Sequence, residues 1–169
     1  SAFSNFYNFL IFQYYTLALG IIPIVTFTIV NQNRLLSKNL KAATEFNEQL
    51  HNGSGTAPPS QLVYLSSENE KEQYKFDVLN LLYIESNGNY LQVYYINDGY
   101  LKNVLLRSSL KRIESLLKDS PDLVKCHRAF IVNTSQIEQV KGNSQGLKLS
   151  IKHSDTKIPV SRNFAKNFR

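Results

Sequence analysis

The chain has 169 residues, 43% hydrophobic and 19% charged, with 19 Lys+Arg against 13 Asp+Glu and a formal net charge of +6 at pH 7. That length accommodates one core plus a smaller appended element, because domains of about 100 residues are self-sufficient. Cys126 is the single cysteine, which excludes an intramolecular disulfide and a cysteine-rich metal framework and points to a reducing compartment. The charge is unevenly placed: residues 1–61 carry 3 Lys+Arg against 2 acids, residues 62–100 carry 2 against 6, and residues 101–169 carry 14 against 5. Such asymmetry favours a polyanion-facing side over a uniformly basic surface. The first residue is Ser1 and not methionine, so a fragment or processed product is expected.

From Phe9 to Val30 the sequence FLIFQYYTLALGIIPIVTFTIV carries no charge. As a helix rising about 1.5 Å per residue it extends roughly 33 Å, enough to span a bilayer. Gly20 and Pro23 are tolerated in membrane helices and are expected to kink this one. The alternative is an apolar helix buried against protein. A secretory signal is disfavoured, since a basic flank and a small-residue cleavage site are both missing. Residues 1–33 have no charge, whereas Arg34, Lys38 and Lys41 follow directly, so the positive-inside rule places the C-terminal side in the cytoplasm. Residues 1–33 are read as a transmembrane region and 34–51 as a juxtamembrane helix. In the latter, Leu36, Ala43 and Leu50 recur at heptad spacing with Phe46 between them, which suits a short parallel coiled contact or a helix end lying on the membrane surface. NGSGTAPPSQ (52–61) is rich in Gly, Ser and Pro and reads as a flexible linker ahead of a domain spanning 62–169.

Within that domain the pattern changes to short β-rich runs: Leu62 to Ser66, Gln73 to Val78, Leu81 to Ser86, Tyr90 to Ile96 and Tyr100 to Leu106. Asn97-Asp98-Gly99 is a hairpin signal, because these residues accept positive φ most easily. One helix interrupts: Ser108 or Ser109 caps it, Leu110, Ile113, Leu116 and Leu117 form its apolar stripe, and Ser120-Pro121 ends it. Further strands are expected at 123–132, 137–140 and 147–151, with KGNSQG (141–146) as a loop. The fold class is mainly β, antiparallel, with one short helix.

Three phrases carry candidate chemistry. LLYIESNGNYLQV (81–93) sets Asn87, Asn89 and Tyr90 around a short amide-rich loop, LVKCHRAFIVN (123–133) contains His127 and Arg128, and IPVSRNF (158–164) contains Ser161 and Arg162. Arginine grips guanine O6 and N7 with two parallel hydrogen bonds, a contact worth about 1–3 kcal/mol of discrimination. Lys102, Lys125, Lys157 and Lys166 are candidates for phosphates, which fix register without reading sequence. Strand periodicity sends Cys126 and His127 to opposite faces if the strand is regular, which disfavours a cysteine nucleophile with an adjacent base. Metal-ligand spacing and Gly-rich phosphate cradles are missing, so neither cofactor nor enzyme activity is expected. Duplex DNA is the leading partner. The rival is a membrane-surface adaptor whose basic face meets anionic lipid or an acidic protein.

LLYIESNGNYLQVYY, LRSSLKRIESLL, VKCHRAFIVNTSQIEQV and IPVSRNF stand in the order and spacing of the LytTR DNA-binding domain, a bacterial module of LytR/AlgR/AgrA-type transcription regulators that residues 62–169 resemble. The resemblance implies three stacked antiparallel sheets whose loops enter successive major grooves of bent DNA. It carries the groove-reading loop onto Asn87 through Tyr90, with Asn89 or Tyr90 at the first contact, and the other two contacts onto His127-Arg128 and Ser161-Arg162. Regulators of this type usually carry a receiver domain ahead of the module; here an apolar helix and linker stand there, which puts control by phosphorylation in doubt. The expectation is a regulator anchored in the bacterial inner (cytoplasmic) membrane, with the domain in the cytoplasm and two protomers on direct-repeat half-sites.

Overall fold

The computed structural model describes residues 2–52 and 61–165; the expected linker lies almost wholly outside them. Helix α1 (Ala2–Asn52) runs as one element through Gly20 and Pro23. Threonines in the apolar stretch return their hydroxyls to the helix backbone: Thr16 donates to the Phe12 carbonyl at 2.7 Å, and Thr26 to those of Ile22 and Pro23 at 2.9 and 3.0 Å. Asn5–Leu50 is long and apolar enough to cross a membrane, by length and composition.

The C-terminal third of α1 packs on the β domain. Ala42, Ala43 and Phe46 are buried in one cluster with Tyr83, Val132, Val140, Leu147 and Leu149, and Leu50 packs at its margin. The heptad-spaced residues Ala43 and Leu50, with Phe46, therefore have this domain's own sheet as their partner. Asn47 completes the dock: its Nδ2 donates to the Val140 carbonyl at 2.9 Å and its Oδ1 accepts from the Val140 N–H at 2.8 Å, as a neighbouring strand would. Asn39 Nδ2 donates to the Asn143 carbonyl at 2.6 Å. A Cβ at Gly142 would overlap the Asn39 carbonyl, so the bare backbone lets helix and strand close together. The strand so covered is an edge, where unpaired backbone groups need partners.

Three antiparallel sheets make up the domain. β1 (Leu62–Ser66) pairs with β2 (Gln73–Asp77). The central sheet has the order β5-β4-β3-β7-β6, from β3 (Leu81–Asn87), β4 (Tyr90–Asn97), β5 (Tyr100–Leu106), β6 (Leu123–His127) and β7 (Phe130–Asn133). The third has the order β10-β9-β8, from β8 (Ile137–Asn143), β9 (Gly146–Ile151) and β10 (Lys157–Val160). Helix α2 (Leu110–Leu116) is capped by Ser109, whose side chain accepts from the Arg112 N–H at 3.3 Å.

The central sheet is buried on both faces. Leu81, Ile84 and Ile131 face a cluster with Val63, Phe76, Leu110 and Ile113, whereas Tyr83 and Val132 face the cluster that α1 joins. Covering both faces explains why LLYI and FIV read as continuous apolar runs instead of alternating ones. The architecture is the expected one: mainly β, stacked antiparallel sheets, one short helix and a long apolar N-terminal helix.

The segment expected as a single strand over 123–132 is a hairpin, β6–β7, with Arg128-Ala129 as its two-residue connection. No Gly, Pro or Asn marks this turn, so residue punctuation does not reveal it. KGNSQG is likewise not a free loop, since its first three residues extend β8 and only Ser144-Gln145 turn before β9.

Candidate nucleic-acid interface

Each of the three sequence phrases contains an exposed turn. In the first, Asn87 and Tyr90 are paired strand ends that close a hairpin around Gly88-Asn89. Gly88 has φ +62° and Asn89 does not take positive φ, the pattern of a hairpin turn with glycine at its first central position. Asn87, Asn89 and Tyr90 are all exposed there.

In the second, the β6–β7 pairing shifts register between Lys125 and His127, leaving Cys126 as the extra residue of a bulge. The strand is therefore not regular at Cys126. Its thiol is fully buried and donates to the Phe130 carbonyl at 3.7 Å, and burial pushes its pKa up to about 12, so it stays protonated. Half-buried His127 accepts the Ala129 N–H on Nδ1 at 3.3 Å, which places the proton of the neutral ring on Nε2 as a donor. Arg128 is exposed in the turn.

In the third, β10 ends at Val160 and Ser161 opens a tight turn, its carbonyl accepting from the N–H groups of Phe164 and Ala165 at 3.0 and 3.1 Å. Arg162 is exposed in that turn.

Two backbone hydrogen bonds bring these turns to one edge. The Ser86 N–H donates to the Ala129 carbonyl at 2.8 Å, joining the first turn to the second. The Ser161 N–H donates to the Cys126 carbonyl at 2.9 Å, joining the second to the third. Asn87 to Tyr90, His127, Arg128, Ser161 and Arg162 are thus gathered, and among the described residues neither arginine has a carboxylate partner closer than 4.0 Å.

The lysines are dispersed. Lys125 is ion-paired to Glu114 at 2.6 Å with its ammonium 5.9 Å from the Phe164 ring centre. Lys157 donates to the Ser150 hydroxyl at 3.1 Å from the opposite end of β10. Lys102 is exposed opposite Tyr95, in the half of β5 remote from the turns. Lys166 lies outside the described residues.

Arg107 was not among the expected residues, yet it belongs to the same edge. Leu106 pairs with Leu91, so the exposed Arg107 follows at the level of Tyr90. The signal was present: counting outward from Asn97-Asp98-Gly99, with Asn97 opposite Tyr100, puts 107 opposite 90. The Ser144-Gln145 turn joins from the third sheet, where Leu147 pairs with Val160 just before Ser161.

Polar and guanidinium-bearing turns gathered at one edge of an antiparallel β module are what a nucleic-acid-binding domain requires. The LytTr DNA-binding domain family matches residues 71–169, and the chain belongs to that family. DNA-binding transcription regulation is the activity that membership implies for the domain. An uncharacterized response regulatory protein of Vibrio cholerae is 31% identical over 107 residues, covering 63% of this chain and 40% of that protein. The sensory transduction protein LytT of Bacillus subtilis is 29% identical over 93 residues, covering 55% of this chain and 36% of that one. The chain thus spans well under half the length of either relative. Among solved structures, the LytTr DNA-binding domain of a Bacillus cereus protein described as a methyl-accepting/DNA response regulator is similar, at 26% identity and a TM-score of 0.49, covering 66% of this chain and 94% of that one.

Proposed function

We propose that this chain is a membrane-anchored, sequence-specific transcription regulator of bacteria, whose hairpin turns read successive major grooves of duplex DNA. The observation that carries the reading is the pair of backbone bonds, Ser86 to Ala129 and Ser161 to Cys126, that aligns three polar turns along one edge. Arg128 and Arg162 are the base readers, since a guanidinium fork matches guanine in the major groove. Asn87, Asn89 and Tyr90 form the first contact, with His127 and Ser161 flanking the arginines. Arg107 grips phosphate beside Tyr90, and Lys102, Lys157 and Lys166 add charge without base preference. Lys125 joins them only by giving up Glu114.

The uncharged first 33 residues followed by Arg34, Lys38 and Lys41 support an inner-membrane span with the domain on the cytoplasmic side. Two protomers occupy adjacent direct-repeat half-sites. The test is an electrophoretic shift of the detergent-solubilised full chain on a selected and a random duplex. The parent shifts the selected duplex at lower concentration, and Arg128→Ala and Arg162→Ala narrow that gap. A parent with no preference between the duplexes contradicts the reading.

A further inference from the structure

Arg162 faces more than open solvent. A cleft of about 140 Å³ is lined by Leu35, Lys38 and Asn39 of α1 together with Gln145, Arg162 and Ala165 of the domain. The candidate DNA edge therefore lies against the helix that leads to the proposed membrane span.

The direction of α1 makes this consequential. Asn47 is fixed to Val140 and Asn39 to Asn143, so the helix runs antiparallel to β8. Eight helical residues and three strand residues cover similar lengths, about 12 and 10 Å, so the two axes are nearly aligned. Beyond Asn39 the helix continues past the Ser144-Gln145 turn towards Val30, where the apolar run ends. From Lys38 to Val30 the axial distance is about 12 Å, and a headgroup layer of roughly 5–7 Å occupies the outer part of it. The major groove alone is about 12 Å wide. A duplex held by Arg162 has no room between the domain and the bilayer while α1 stays docked.

Resting on the membrane-anchored DNA-binding reading above, we propose that docking of α1 on β8 holds the Arg162 edge against the headgroups of an anionic bilayer, so that lipid and DNA compete for it. Arg34, Lys38 and Arg162 supply the cations that such a surface attracts. DNA gains the edge when α1 leaves β8.

The test uses the full chain in nanodiscs of mixed phosphatidylcholine and phosphatidylglycerol, with duplex affinity read by fluorescence anisotropy and docking read by hydrogen exchange at the Val140 amide. Gly142→Ala forces a Cβ into the Asn39 carbonyl, and Asn39→Ala removes the bond to the Asn143 carbonyl by a milder route that leaves the Asn47 partner of the Val140 amide in place. The expected result is faster Val140 exchange with duplex binding about tenfold tighter than the parent's in the same discs, within the usual span of coupling effects. Faster exchange with unchanged affinity overturns the proposal. Unchanged exchange in both variants also overturns it, because α1 is then a permanent part of the domain. Failure of the parent to bind a selected duplex in detergent, with no bilayer present, instead overturns the DNA-reading assignment on which the proposal rests.

Discussion

The N–H of Ser161 donates to the carbonyl of Cys126 at 2.9 Å, tying the last turn of the domain to the β6–β7 hairpin. β6 is the edge strand of the central sheet, and an extra residue interrupts its ladder with β7 at Cys126, so the Cys126 carbonyl is open to a partner outside that sheet. Arg128 lies two residues beyond that carbonyl and Arg162 one residue beyond that amide, so one hydrogen bond relates the two turns that carry them. Neither arginine depends on the other's side chain for its place.

Arg128→Ala and Arg162→Ala are each expected to weaken binding to the preferred duplex by about 1–3 kcal/mol and to relax base preference. Arg107→Ala is expected to act differently, lowering affinity on all sequences alike and reducing the salt slope of binding by about one. Titrations on selected and random duplexes at several salt concentrations separate the two behaviours.

Gly88 holds φ +62° at the tip of the β3–β4 hairpin, with nothing within 4 Å of where a Cβ would stand. The cost of Gly88→Ala is therefore conformational, about 1–2 kcal/mol for a left-handed residue with a side chain. Unfolding by denaturant measures this loss, and duplex titration tests whether a distorted tip also weakens recognition through Asn87, Asn89 and Tyr90. Gly88→Asn is expected to recover part of the stability, because Asn tolerates this region better.

Burial pushes the Cys126 thiol from 9.0 up to about 12. The unfolded chain ionises this thiol above its ordinary value while the folded chain does not, so the unfolded state binds fewer protons there. The associated stability is fully present below about pH 9 and is lost as pH rises towards 12, with a slope of up to about 1.4 kcal/mol per unit. Denaturant unfolding of the parent and of Cys126→Ala across that range checks the difference in slope. A small alkylating agent at neutral pH is expected to label the folded protein only slowly.

Asn133 is fully buried, and its Nδ2 donates to the carbonyls of Val78 and Leu81 at 2.7 and 2.8 Å while its Oδ1 accepts from the N–H and hydroxyl of Ser135. Asn133→Ala removes the amide partner of the Leu81 carbonyl and of Ser135, while the Val78 carbonyl keeps the Leu81 N–H at 3.2 Å, so the expected cost is about 1–3 kcal/mol for each group left without a partner. Near-ultraviolet dichroism during denaturant unfolding gives the loss. A change smaller than 1 kcal/mol means that water replaces the amide.

Much of the fold is legible in the sequence because turn chemistry and apolar runs mark it locally. β1 and β5 have the expected bounds, Ser109 caps α2, and Asn97-Asp98-Gly99 turns as its residue types dictate, with Asp98 and Gly99 at positive φ. The β6–β7 hairpin is not legible, since its turn is made of Arg and Ala and held by contacts to distant residues, Ser86 and Ser161. The docking of α1 is hidden for a related reason. Ala43, Phe46 and Leu50 show that one face of the helix is covered, but periodicity does not say by what, and the bare backbone of Gly142 that admits the helix lies far away in the chain. Within the site, residue types pointed to Arg128 and Arg162, whereas Arg107 emerges only from the β4–β5 register.

Selection from a random duplex pool with the full chain in detergent, run for the parent, Arg128→Ala and Arg162→Ala, tests the edge most directly. The account predicts a defined site from the parent and, from each variant, loss of preference confined to its own block of base pairs, the two blocks lying in separate grooves. Recovery of the same site with unchanged preference by both variants contradicts it.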